Sequence, residues 1–403
     1  MSRARRTYAG LDAVVCCAAL LMASAGCGAA DRGAAPDVTV TEVDGVLHVR
    51  LGTLAPAGAP RWQTAEVYST MAPGAAVELF RVTAARFLPD GALAIANAGA
   101  QEILVLDAAG PVTRRFGRSG EGPGEFLWIS TLDVDGAGNL LAYDPHLARL
   151  TRFTPEGEVL ETRAVMPPSR VVDLEPLTVL PDGRILAVYG SQRVFAPGGE
   201  RRDSTPLFLF AAAGEAADTL GVWPAQEWSY KAVGNGVSRS PVGFGRTLAR
   251  AGRNGRAALG STDSVDITVY DGGNVVMRIA GPGPGPAVTD ADVQRWREET
   301  LLSFSPGMPE GARRVFEEAP HRATFPAFSA LLVDAARCIW IGAYARPGQA
   351  ERDWLFIGPL GNVEGTLTLP ADAQPLDALG DRVALLMRNE LDEEYVAVLR
   401  IVR

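Results

Sequence analysis

The strongest constraint in this 403-residue sequence is a recurring two-residue turn followed by a short apolar strand. Asp90-Gly91, Asp135-Gly136, Asp182-Gly183, Asn254-Gly255, Asp334 and Asp381 each stand just before such a strand. The strands are Ala92–Ile95, Leu140–Tyr143, Arg184–Tyr189, Ala257–Gly260, Cys338–Ile341 and Val383–Met387. Asx-Gly pairs between extended runs favour hairpins, because Gly reaches φ > 0 without a Cβ clash. Successive markers are 45, 47, 72, 80 and 47 residues apart. A repeat of roughly 40–50 residues with about four strands is the period of a propeller blade.

A second turn recurs inside the units, at Ala108-Ala109-Gly110, Pro155-Glu156-Gly157, Ala213-Gly214, Asp271-Gly272-Gly273 and Pro359-Leu360-Gly361. An alternating strand precedes each, such as Ile103–Leu106, Leu150–Phe153 or Trp354–Ile357. The two long intervals carry insertions. One reads as the loop-rich stretch Phe195–Phe244, with Trp223, Trp228 and Tyr230 in a long loop above packed side chains. The other spans about 285–319, where Thr289 and Asp292 have the spacing of a capping box that opens an amphipathic helix through Phe304. Six similar units remain, so the expected fold is all-β: a six-bladed β-propeller over residues 37–403, with a helical insertion between the fourth and fifth blades. The last unit is one strand short. An N-terminal strand should complete it, expected from the hairpin that begins at Val38, with Thr64–Tyr68 as the fallback, and closing the ring removes an exposed edge.

Residues 1–27 read as an export signal. Arg3, Arg5 and Arg6 precede the apolar run Ala13–Ala23, which is too short to span a bilayer. Ser24-Ala25-Gly26-Cys27 resembles a lipobox, which implies diacylation of Cys27 and a lipid anchor facing the periplasm or cell surface. Ordinary cleavage after Ala25 would instead give a soluble periplasmic or secreted protein. The Ala/Gly-rich 28–36 stretch reads as a tether. A formal net charge of −9 argues against a nucleic-acid partner, since phosphate neutralisation needs clustered Lys and Arg.

The block Gly120-Glu-Gly-Pro-Gly-Glu-Phe126 after an alternating run resembles bacterial six-bladed β-propellers of the TolB/NHL-like kind, often exported as lipoproteins. Pro326–Asp334, Trp340, Asp353-Trp354 and Asp392-Glu-Glu-Tyr-Val396, in that order, resemble the closing blades of the same family. That resemblance implies a monomer without an assigned activity. The glycine-rich loop lacks the Lys-Ser/Thr of a P-loop, so it reads as a crossing between blades. Arg118, Glu121 and Glu125 are its candidate ligand-binding charges.

No catalytic constellation is legible. His48, His146 and His321 are scattered, whereas zinc needs three or four N, S or O ligands. Ser238–Ser240 lack a nucleophile elbow, and Cys338 reads as a packed small apolar residue. No metal site and no cofactor is assigned. The expected function is a binding or scaffold module for a protein, peptide or glycan of the cell envelope. The alternative is a divalent-metal-dependent hydrolase, lactonase or lyase acting at the channel mouth, since scattered acidic loops could hold calcium.

Overall fold

A computed structural model describes residues 37–72, 77–165, 174–189, 198–233, 236–302 and 310–403. The signal, Cys27 and the tether lie outside the described residues. The chain forms a propeller-like β fold. β1 (Val38–Val43) and β2 (Val46–Leu51) make a hairpin through Asp44-Gly45, and β3 (Arg61–Ser69) follows. The first unit is β4 (Val82–Phe87), β5 (Leu93–Asn97), β6 (Glu102–Leu106) and β7 (Val112–Phe116). The second is β8 (Thr131–Val134), β9 (Leu140–Asp144), β10 (Arg149–Phe153) and β11 (Val159–Ala164). The third is β12 (Leu174–Val179), β13 (Ile185–Tyr189), β14 (Gly199–Phe210) and β15 (Ala216–Val233), with β16 (Gly236–Pro241) added outside.

A fourth unit comprises β17 (Leu248–Arg253), β18 (Arg256–Ser261), β19 (Asp266–Asp271) and β20 (Asn274–Ala280). Two helices come next, α1 (Asp290–Leu302) and α2 (Glu310–Glu317). The fifth unit is β21 (Ala330–Val333), β22 (Ile339–Gly342), β23 (Glu351–Ile357) and β24 (Val363–Pro370). The chain ends in β25 (Gln374–Leu379), β26 (Arg382–Arg388) and β27 (Glu394–Val402). No helix among the described residues is long and apolar enough to cross a membrane.

Each unit is an antiparallel meander whose first strand hands over to the next unit's first strand. β4, β8, β12, β17, β21 and β25 touch in that order, and β25 touches β4 again, so they enclose a shaft. The core is divided among the seams between units rather than gathered in one centre. Leu132 and Leu140 meet Ile103 and Val105 at the first seam, and Leu385 and Val383 meet Trp340 and Phe356 at the fifth. Strands buried on both faces read as continuous apolar runs, which is why β5, β9 and β13 show little alternation.

The expectation that the Val38–Arg50 hairpin closes the ring is corrected: closure falls to the fallback strand, Thr64–Tyr68, which lies within β3. β3 runs antiparallel to β27, from Ser69 opposite Ala397 to Gln63 opposite Val402. Its Trp62 enters the cluster of Trp340 and Phe356, 4.6 Å from the Phe356 ring centre. The β1–β2 hairpin instead lies parallel to β20, with Leu47 opposite Met277, and extends the fourth unit outward. A further correction concerns Phe195–Phe244, whose described part is mainly long strand, not loop. Trp223, Trp228 and Tyr230 lie on β15, and Ser238–Ser240 on β16. Register shifts near Arg202, Leu207 and Leu209 disrupt the period-2 pattern and hide these strands from a sequence reading.

The helix signal is realised locally. Thr289 Oγ1 accepts from Asp292 N–H at 3.2 Å, and Asp292 Oδ2 accepts from Thr289 N–H at 2.9 Å. This reciprocal cap satisfies two donors that a helix start leaves open. Val293 of α1 then packs with Phe244 and Phe325, and Trp296 stacks between Phe244 and Phe316.

Candidate ligand-binding site

The shaft has two ends. First strands begin at one, the entry face, and run into the Asp-Gly turns at the other, the turn face. At the entry face a cavity of about 200 Å³ is lined by all six first-strand segments. Thr83, Arg86, Ser130, Glu175, Arg250 and Gln374 supply its polar wall. Glu175 and Arg250 form a two-point ion pair between the third and fourth units, with Arg250 Nε donating to Glu175 Oε1 at 3.0 Å. Burial works against the Arg250 charge, but the adjacent Glu175 carboxylate outweighs it and holds the guanidinium above its ordinary value.

Arg86 crosses the shaft. Its Nη1 donates to Leu376 O at 2.9 Å and its Nη2 to Gly252 O at 3.3 Å. One step deeper, Arg253 pairs through Nη1 with Asp377 Oδ2 and donates from Nη2 to Phe87 O at 2.9 Å. Asp377 Oδ2 also accepts Phe87 N–H at 2.7 Å. The same device recurs at the second seam, where Asp133 Oδ2 accepts Val179 N–H and the Thr178 hydroxyl, each at 2.8 Å. An aspartate on one first strand thus caps the backbone of the next unit. Burial pushes the Asp377 carboxyl up to about 6, against the pull of Arg253 and Arg86. Burial likewise holds Arg253 below its ordinary value, which Asp377 only partly restores. Both partners resist charging because neither is solvated.

The glycine-rich stretch is a folded crossing on the entry face. Gly117, Gly120 and Gly124 have positive φ values of 87°, 149° and 74°. Gly122 does not, and its need is spatial, since a Cβ there would lie 2.9 Å from Glu125 Oε2. That oxygen accepts Gly122 N–H at 2.8 Å, while Oε1 meets Arg118 Nη2 at 2.7 Å. The Gly122 bond, followed by the Arg118 bond, holds the Glu125 carboxyl below its ordinary value. Arg149 fixes the loop from beneath, donating to the carbonyls of Glu121, Gly122 and Glu125 at 2.6–2.7 Å. The structure therefore brings Arg118 and Glu125 onto each other. Glu121 is exposed beside them, and none of the three lines the shaft cavity.

The remaining candidates are dispersed. His146 follows β9, His321 bridges to Gly243, and His48 lies on β2. No three His, Cys, Asp or Glu side chains gather as a metal site among the described residues. Cys338 packs at the fifth seam, and burial pushes its thiol up to about 12. Trp228 Nε1 donates to Asp203 Oδ2 at 2.8 Å, and Arg239 lies 4.2 Å over its ring. Sequence reading missed Arg86, Glu175, Arg250, Arg253 and Asp377. Their signal is a charged residue inside a short first strand just ahead of one of the turn markers Asp90, Asp182, Asn254 and Asp381.

No protein-family model and no curated protein sequence matches the chain. Among solved structures, it is similar to a member of the DUF4221 family from Bacteroides vulgatus, at 10% identity and TM-score 0.47 over 91% of this chain and 98% of that one. It is also similar to the PQQ-bound aldose sugar dehydrogenase of Streptomyces coelicolor, at 12% identity and TM-score 0.43 over 85% and 100%. The calcium-binding protein regucalcin of Agrobacterium tumefaciens matches at 13% identity and TM-score 0.41 over 85% and 96%. At these identities the likeness concerns the β-propeller fold alone.

Proposed function

We propose that the chain is a six-bladed propeller, with a helical insertion between the fourth and fifth blades, that serves as a binding module of the cell envelope. Residues 1–27 direct its export, and lipid on Cys27 anchors it. Its ligand is a protein, peptide or glycan met at the entry face, over the shaft cavity and beside the Arg118–Glu125 loop.

The observation that carries this reading is the state of the charges at the cavity. Both oxygens of Glu175 face Arg250, and Arg86 is bonded to carbonyls. These groups are fixed as recognition elements, and among the described residues that line the cavity the one carboxylate, Glu175, is already paired with Arg250. A divalent-metal hydrolase would have to place its cation beside two guanidinium charges and break the Glu175 pair, and like charge at short range opposes that.

The test is affinity capture from envelope extract, with the anchored protein compared with Arg250→Ala and Arg118→Ala. A partner retained by the wild type and lost with either variant supports the module. A stoichiometric divalent ion in the purified protein, with no partner captured, would sink it. The anchor is tested separately by fatty-acid labelling, which Cys27→Ser should abolish.

A further inference from the structure

The fourth unit differs from the others at its rim. Beyond β20 it carries β2 and then β1, so β1 is its outermost strand. Among the described residues, four sheets end outward in a strand paired on one side only: β1, β7, β11 and β16. Such an edge presents free N–H and C=O groups, which proteins protect with charge, proline, bulges or a covering element. β7 holds Arg114 and Arg115, and β11 holds Glu161 and Arg163. The pairing of each with its neighbour is also broken by a register shift. β16 holds Arg239 and Pro241, and α2 packs against it. β1 has no proline and one charge, Glu42, and its register with β2 is unbroken. Of the four, β1 is the unprotected edge.

The hairpin turn decides which backbone groups of β1 are free. Asp44 and Gly45 have φ values of 50° and 77°, a tight turn whose flanking pair, Val43 and Val46, is hydrogen-bonded. Bonded pairs then alternate along the ladder. The backbone of Val43, Thr41 and Thr39 therefore faces β2, and that of Glu42, Val40 and Val38 faces outward. Gly52 N–H donates to Asp37 O at 2.7 Å, in the same phase. Apolar surface lies beside the open groups, with Val40 41% and Val43 53% exposed. A Cβ at Gly361 would lie 3.1 Å from Val40 Cγ1, so Val40 borders the turn that carries Leu360, itself 77% exposed.

We propose that β1 is a homodimer interface, in which β1 of a second copy pairs antiparallel with it, centred on Val40. In that register Val38 faces Glu42 of the second copy and Val40 faces its own counterpart. Each of these pairs exchanges both backbone bonds, so every outward residue of both strands is used. A shift of two residues either way leaves an outward residue of each strand unpaired. Thr39 faces Thr41 of the second copy in the closer, non-bonded pairs, and Thr–Thr contacts across strands are favourable. The centre, Thr39-Val40-Thr41, reads the same in both directions, which makes the contact self-complementary. The two Glu42 side chains stand at opposite ends, so no like charges lie directly opposite. An unrelated extended peptide would meet the same bonds but not this symmetry. The proposal departs from the monomer that the family resemblance implies.

Sedimentation velocity of the full mature protein in non-ionic detergent, over a concentration series, reads the association, which a single strand pair keeps weak. A monomer–dimer equilibrium is expected. Val40→Pro removes an outward N–H and none that bonds β2, and should raise the dissociation constant about tenfold or more. Register is read separately by mild oxidation. Val40→Cys should give a disulfide-linked dimer, because bonded partners sit about 5.5 Å apart at Cα. Thr39→Cys, which faces Thr41 of the second copy, should not. Arg250→Ala at the entry face should change neither readout, which separates this edge from the site proposed above. A protein monomeric throughout the series, equal dimerisation of a folded Val40→Pro protein, or linking through Thr39→Cys but not Val40→Cys would overturn the assignment. Protection of the Val40 amide from hydrogen exchange in a protein that stays monomeric would overturn it too, giving the edge to another strand such as residues 28–36 of the same chain.

Discussion

Arginine meets carboxylate twice in this chain under opposite conditions, in the shaft at Arg253–Asp377 and on the entry face at Arg118–Glu125. Both carboxylates also accept a backbone N–H, from Phe87 in the first case and Gly122 in the second. In the shaft, the side chains are 4% and 0% exposed and join three units. On the loop, Arg118 is 80% exposed and both partners belong to one crossing. Burial drives the Asp377 carboxyl up, whereas hydrogen bonds draw that of Glu125 down. The pair that is poorer as an electrostatic bargain is the one that holds the ring together. Its value lies in satisfying groups that have no water to turn to.

The contrast breaks most sharply at Asp377. Asp377→Ala leaves Arg253 charged, buried and unpaired and frees Phe87 N–H, so a loss of about 3–5 kcal/mol is expected by denaturant titration. A loss below about 1 kcal/mol would show that water replaces the carboxylate, and the shaft would not be the clamp described here.

A pH series sharpens the same point. The folded carboxyl of Asp377 sits near 6, above its ordinary 3.8, so folding favours its protonated form. That contribution is fully present below about pH 4 and fades as pH rises through about 6, with an upper bound near 3 kcal/mol. The wild type should therefore lose stability relative to Asp377→Asn across that window. Parallel pH curves for the two proteins would contradict the buried assignment. Glu125, with its lowered carboxyl, acts in the opposite sense, its contribution being lost as pH falls.

The loop gives the smaller effects. Gly124→Ala forces a side chain into φ near +74° against Val159 and should cost about 1 kcal/mol or more in thermal melts. Arg118→Ala removes an exposed charge and should shift stability by no more than about 0.5 kcal/mol. If Arg118→Ala destabilised as much as Gly124→Ala, the loop pair would be structural in the way the shaft pair is.

Turn chemistry and strand hydrophobicity are local properties, and they were legible. The Asp-Gly markers, the apolar second strands and the Thr289–Asp292 cap all stand where the chain alone placed them. The Phe195–Phe244 region resisted because bulges shift β14 and β15 out of the alternation that marks a strand. The charges of the shaft resisted for another reason. Arg86 and Arg253 look like interruptions of short apolar strands until the ring brings Leu376, Gly252, Phe87 and Asp377 around them.

By itself, the sequence determined a chain of repeated hairpin units, because each turn and each apolar strand depends on residues a few positions apart. Which N-terminal strand closes the ring was decided only by tertiary structure. Both candidates alternate and both offer an open edge, but only β3 carries a Trp62 that fits between Phe356 and its neighbours while pairing β27. The binding chemistry was decided there too. Glu175 and Arg250 lie 75 residues apart, and Asp377 and Phe87 lie 290 apart. No spacing rule links residues so distant, since they meet only when all six first strands are packed around one axis.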